Sequence, residues 1–370
     1  MRTTRNRSKF YGIIHRDRGL LLGLATMLAF LIWGSHWLDN ISSPLVAGAF
    51  FAWLVLAILG SAFRVVHEAD ALAHRLGEPL GTLILTLSVT GMEVAMVSSV
   101  MITGPDNPTL ARDTMFAVVM IVLAGLVGAS LLLGAFRHHQ QEFNLEGASA
   151  YLSLIVPLSM FGLVMPNFTI TTPGPTFSAN QALVLAILCV GIYAVFLGIQ
   201  TLRHREFFED SEAKEKEAAE GGMALHAIIL FISLAPVVFL SEELACILDF
   251  GVHTMHLPAP LAGVVVAGLI LAPEGLSGIK AAYNNQLQRS VNLLLGSALA
   301  TIALTIPAVL VVGLLTKRAV VLGLRPHETI LLVVTLAISL MTFGRGKTNL
   351  LQGAVHLIVF IFWLVLMLEG

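Results

Sequence analysis

Charge is what this sequence lacks most. Aspartate, glutamate, lysine and arginine make up 12% of its 370 residues and 56% are hydrophobic, whereas an ordinary soluble domain is about 25% charged. The shortage excludes a water-bathed surface over most of the chain and points to lipid as its main solvent. Cysteine is scarce too. Cys189 and Cys246 lie in or near apolar runs with no C-x-x-C spacing, which excludes a disulfide framework or zinc site and leaves two small buried hydrophobes. Ten-residue segments of alternating polarity are missing, which argues against a membrane barrel. H-E-x-x-H, G-x-S-x-G and paired-aspartate motifs are also missing, so the chain is not expected to be an enzyme.

What is present is a series of long apolar runs. A hydrocarbon core about 30 Å thick needs roughly 20 such residues per helix, and eleven spans qualify: 20–38, 44–63, 79–102, 114–136, 150–168, 179–202, 224–240, 258–280, 290–315, 328–344 and 348–368. They must be helical, because backbone groups cannot go unsatisfied in hydrocarbon. The expected organisation is a basic cytoplasmic N-terminus over 1–19 and two helices over 20–63. A first half over 64–202, an acidic cytoplasmic loop over 203–223 and a second half over 224–370 follow.

Arg2, Arg5, Arg7, Lys9, Arg16 and Arg18 precede the first span, and basic residues tend to stay inside. No small-residue cleavage motif follows Trp33, so the first helix is read as retained. Five further basic connections then fall inside, and only the one with Lys317, Arg318 and Arg325 disagrees. These features make the chain a multi-pass membrane protein with its N-terminus in the cytoplasm.

Within "LTLSVTGMEVAMVSSVMITG", Glu93 lies fourteen residues after Pro79, roughly 21 Å along a helix at about 1.5 Å per residue. Carboxylates at that depth usually face a cavity and serve transport or proton relay. Glu274 is equally deep in the eighth span. Spans three and eight are five apart, so they cross in opposite directions, as in inverted repeats whose paired sites meet near the midplane. Each is followed by a helix of small residues, "VVMIVLAGLVGASLLLGA" and "VNLLLGSALATIALTIPA", which lets four helices pack closely. Pro273 and Gly275 are expected to break the helix beside Glu274, and Gly91 to loosen the one beside Glu93. With Ser88, Ser297 or Thr301 as hydroxyl partners, and Asn292 as a further lining residue, two glutamates make a hard oxygen site suited to Ca²⁺ or Na⁺. Without a cation such carboxylates cannot both stay charged cheaply, so they hold protons as a coupled pair. A site that switches sides only when loaded then exchanges cation for proton.

The stretches "HRLGEPLGTLILTLSVTGMEVAMVSSVM" and "ILAPEGLSGIKAAYNNQLQRSVNLLLGSALATIALTIPAVLV" resemble the bacterial calcium/proton antiporters of the cation/calcium exchanger superfamily, as do "RDTMFAVVMIVLAGLVGASLLLG" and "GRGKTNLLQGAVHLIVF". The resemblance runs from about residue 61 to the end. It implies an all-α polytopic membrane protein of about eleven transmembrane helices, built as two inverted five-helix repeats plus one extra helix. By position, Glu93 and Glu274 would be the cation ligands, although "GME" and "APEG" lack the superfamily's frequent G-N-x-x-E form. The activity implied is Ca²⁺/H⁺ exchange by alternating access. Na⁺/H⁺ or K⁺/H⁺ exchange is the alternative, and a cation channel is a third reading. The expected partners are membrane lipid, inorganic cations and protons, with no cofactor and no nucleic acid; a homo-oligomer stays open.

Other polar residues carry weaker expectations. The segment 203–222, with seven carboxylates, reads as a short exposed helix ending at Gly221, a solvated connector or a divalent-ion collector. His67, Glu68, Asp70, His74 and Glu78 read as a solvated inside loop, Arg112 and Asp113 as a membrane edge, and His356 as a satisfied interhelical histidine.

Overall fold

The computed structural model describes residues 18–39, 41, 43–76, 80–103, 107–208 and 222–369. They form eleven helical rods: α1 (Arg18–Asp39), α2 (Pro44–Leu76), α3 (Leu80–Thr103), α4 (Leu110–His138), α5 (Leu145–Phe168), α6 (Ala179–Arg203), α7 (Met223–Met255), α8 (Leu261–Tyr283), α9 (Leu287–Thr316), α10 (Pro326–Phe343) and α11 (Leu350–Glu369). Ten are long and apolar enough to cross a membrane, and α3 carries a shorter apolar stretch, Leu87–Ile102. A two-residue ribbon, β1 (Gln141–Glu142) with β2 (Lys347–Thr348), ties two connections by the pairs Gln141 to Thr348 and Glu142 to Lys347.

The numbering itself shows the repeat. α3 and α8 begin at 80 and 261, the two glutamates stand at 93 and 274, and α5 and α10 begin at 145 and 326. Each pair is 181 residues apart. The helices α2 to α6 therefore correspond to α7 to α11, and α1 is the extra one. Each corresponding pair is five helices apart, so the halves run in opposite senses.

Expected helix ends and one expected helix break move. α2 and α7 are both 33 residues long, about 50 Å at 1.5 Å per residue, well beyond the bilayer core. The polar residues after position 63 therefore do not form a loop: the helix carries them on to Leu76, Glu68 is fully buried, and the boundary expected at 64 falls inside α2. Glu242, Glu243 and Asp249, past the expected end of the seventh span at 240, likewise belong to α7. A second correction concerns Pro273: α8 is continuous through it. Proline removes one backbone donor, and close packing holds the rest of the ladder; a Cβ on Gly275, two residues on, would approach Leu126 Cδ2 of α4 to 2.7 Å. Arg112 and Asp113 stand at the start of α4, where a membrane edge was expected. Both are buried in the first turn of α4, where Arg112 Nε donates to Asp113 Oδ1 at 2.8 Å. Cys189 is buried as expected, but Cys246 is exposed. His74's side chain, Glu78 and residues 209–221 of the acidic segment expected to be helical lie outside the described residues.

Candidate functional site

The irregularity that sequence placed beside Glu274 sits one helix later, in both halves. α4 widens into a π turn at Met120–Leu126 and α9 into one at Thr301–Thr305. Each starts 27 residues after its half's glutamate (93 to 120, 274 to 301). π turns concentrate at functional sites because the extra residue re-aims side chains and frees backbone carbonyls.

The α9 turn faces α3. Glu93 is 2% exposed, and a charged carboxylate in such a place needs donors. Thr301 Oγ1 donates to Glu93 Oε2 at 2.5 Å and Thr305 Oγ1 to Glu93 Oε1 at 3.3 Å. The expected partner Thr301 is thus in place, and sequence reasoning missed Thr305. Its signal was the four-residue spacing in "TIALT", which puts both hydroxyls on one face. The positions 181 residues earlier are Met120 and Ala124, which carry no hydroxyl.

Glu274 is in electrostatic reach of Glu93, and the Ser297 hydroxyl is within hydrogen-bonding reach of Glu274. Its Oε2 is enclosed without a hydrogen-bond partner. One glutamate of the pair is held by two hydroxyls and the other keeps a bare oxygen. Such an arrangement can take up a proton or a cation, since either relieves an unmet acceptor. Ser88 is half-buried and five residues before Glu93, about 140° around α3 from it. Asn292 donates to Phe208 O at 2.5 Å and accepts from Gln288 Nε2 at 3.0 Å, tying α9 to the end of the α6 segment. His356 is satisfied between helices: its Nδ1 meets Leu123 O, inside the α4 π turn, at 2.6 Å, and its Nε2 meets Thr342 Oγ1 at 3.1 Å.

Six residues beyond Glu93 on α3, about 9 Å along the axis, Ser99 is hydrogen-bonded to Glu242 of α7. A cavity of about 240 Å³ lies in the same region, lined by Val100, Asn107, Ala245, Asp249 and His253 among others. Glu242, Ala245, Asp249 and Val252 share one stripe of α7, so two carboxylates stand on the α7 face that borders this cavity, on the side where α3 ends.

The model of the family described as sodium/calcium exchanger protein matches residues 46–202 and 225–369. The chain is 39% identical over 359 residues to the sodium-potassium/proton antiporter ChaA of Escherichia coli (strain K12), covering 95% of this chain and 96% of that one. It is 21% identical over 322 residues to the Ca²⁺/H⁺ antiporter ChaA of Bacillus subtilis (strain 168), covering 84% and 89%. Its backbone superposes on the structure of native YfkE with a TM-score of 0.73 at 18% identity, over 95% of this chain and all of that one. The eleven-helix inverted-repeat fold expected from sequence is therefore the fold observed.

Proposed function

We propose that this chain, which belongs to the sodium/calcium exchanger protein family, is a multi-pass cation/proton antiporter whose shared site for cation and proton is the pair Glu93 and Glu274. The observation that carries this is the pair itself: two carboxylates from inverted halves, with Glu274 in electrostatic reach of Glu93, one bound by Thr301 and Thr305 and one with a bare enclosed oxygen. Loaded with a cation or with protons, the site is near neutral and can be enclosed. Bare, it carries buried negative charge, whose cost suppresses empty switching. Cation moves one way and protons the other because only the loaded forms change sides.

Hard oxygen ligands and a full charge of about −2 suit Ca²⁺, the ion of the first reading. The 39% relative, a sodium-potassium/proton antiporter by name, favours a second reading in which Na⁺ or K⁺ is exchanged. In the proposed topology the chain lies in a bacterial inner membrane with its N-terminus in the cytoplasm. The Asp249 cavity then opens outside and His226 of α7 lies at the inside end.

Two expected results follow from this geometry. Thr301→Val removes a hydroxyl bonded to a carboxylate, worth about 1.5 to 3 kcal/mol, so the half-saturating cation concentration should rise about tenfold or more while the protein stays folded. Transport titrations in proteoliposomes check it, and an unchanged half-saturation would remove Thr301 from the site. Asp249→Asn should slow cation entry severalfold at low ionic strength and have little effect at high salt, because exposed charges steer ions only within the screening length. Initial rates in two salt concentrations decide this.

A further inference from the structure

At the end of the α2–α7 pair opposite the cavity stands a buried ionic group that the exchange site does not use. Glu68 is fully buried on α2 and His226 is 5% exposed on α7. Glu68 Oε1 pairs with Arg64 Nη2 at 2.7 Å, one turn back on the same helix. Its Oε2 meets His226 Nδ1 at 2.5 Å across the helix interface. Around them Ala69, Leu72 and Leu230 form a small apolar cluster of their own, with Ile84, Ala227 and Leu234 packed on it. The contact thus excludes water, and any separation of the helices here must first break it.

Two details mark this contact as one of two states. His226 Nε2 is buried without a hydrogen-bond partner, and so is Ser61 Oγ, seven residues before Glu68 on the same stripe of α2. Unmet buried polar atoms are rare because they are costly, and that cost is relieved when the interface parts and water enters. Histidine is also the side chain whose charge changes within the physiological range. With a proton, its contact with Glu68 is an ion pair as well as a hydrogen bond; without one, only a neutral imidazole meets the carboxylate and the contact is weaker. Among the described residues the other charged or titratable groups near this end are Arg64, His67, Asp70 and Arg75 on α2 and Arg18 on α1. The first turns of α7 add none besides His226, and the facing part of α3, residues 80–90, has none in its sequence.

We propose that Glu68 and His226 form a proton-operated latch between α2 and α7. Protonated, it clamps these ends together; deprotonated, it lets them part. The latch responds to the pH of this face alone, and so sets the rate of exchange separately from the protons that the Glu93–Glu274 site carries. The inference rests on the exchange reading in that the helices it joins must move for the site to change sides.

The test is a distance measurement on the full chain in lipid nanodiscs. Spin labels are placed at Phe63 and Leu225, which are 41% and 50% exposed, in a Cys246→Ser background, and pH is varied from about 6 to 9. The wild-type latch should show a short distance at the acidic end and a second, longer one whose ratio to the first rises with pH, by at most about tenfold per unit, the limit set by one proton. His226→Gln keeps a donor for Glu68 but cannot titrate, and should give a distance distribution that does not move with pH. A wild-type distance that ignores pH, or a shift that survives in His226→Gln, overturns the latch. If the distance responds as expected but no exchange is found in proteoliposomes, the exchange reading fails and the latch stands.

Discussion

Replacing either Glu93 or Glu274 by glutamine should abolish exchange, lowering cation-driven proton flux at least about a hundredfold, while the protein still folds and purifies. Glutamine keeps the size and one acceptor of a protonated glutamate but holds no negative charge. The loss of one of two charges from an enclosed site costs far more than the factor of ten per 1.4 kcal/mol set by a single weakened hydrogen bond. The two variants should differ in detail. Glu93→Gln leaves Thr301 and Thr305 able to donate to its side-chain oxygen, so the local packing is preserved. Glu274→Gln places an amide where Oε2 now has no partner, and its cation site is left with the hydroxyl-bound carboxylate alone. In the wild type, protons and cations compete for the same oxygens. Lowering pH on the loading side should therefore raise the half-saturating cation concentration, by up to about tenfold per unit if one proton competes. Initial rates across pH check the sign, and a half-saturation that falls on acidification would show that proton and cation do not share the site.

The second large effect lies in packing. α4 and α11 cross with their backbones in contact: a Cβ on Gly353 would come 3.0 Å from Gly128 O and 3.0 Å from Leu132 Cα, and one on Gly128 would come 2.9 Å from Leu357 Cγ. Small residues allow such approaches in a membrane, where dispersion and not the hydrophobic effect holds helices together. Gly353→Val forces backbone against backbone, with no flexible side chain to give way, and should cost about 3 kcal/mol or more. The same crossing carries the His356 bond into the α4 π turn, so the strain reaches the element that follows Glu93. The expected outcome is a melting temperature in detergent lower by about 5 °C or more, with reduced transport. An unaltered melting temperature would mean that the two helices can separate at no cost.

The two glutamates were legible because an ionisable residue in an apolar run is conspicuous in one dimension, and their five-span separation gave the inverted arrangement. The π turns were not. "TIALT" and "MIVLAGL" carry no proline and no clear break, and a π turn is an insertion into a helix that only neighbouring packing makes evident. Pro273 misled in the opposite direction, because a proline's lost hydrogen bond is tolerated where close neighbours hold the helix. Glu68 was misread for a related reason. A run such as "HEADALAH" is polar enough to look like a loop, yet its Glu68 is assigned to a helix face by a partner 158 residues away, a relation that no local window contains.

The most direct measurement of the central claim is proton movement from proteoliposomes on addition of Ca²⁺, Na⁺ or K⁺ separately, with cation uptake followed in the same vesicles. Paired-glutamate exchange predicts saturable proton release matched to uptake of at least one of these ions, absent in both Glu93→Gln and Glu274→Gln. Cation uptake without proton release, or full coupled exchange in either variant, would contradict it.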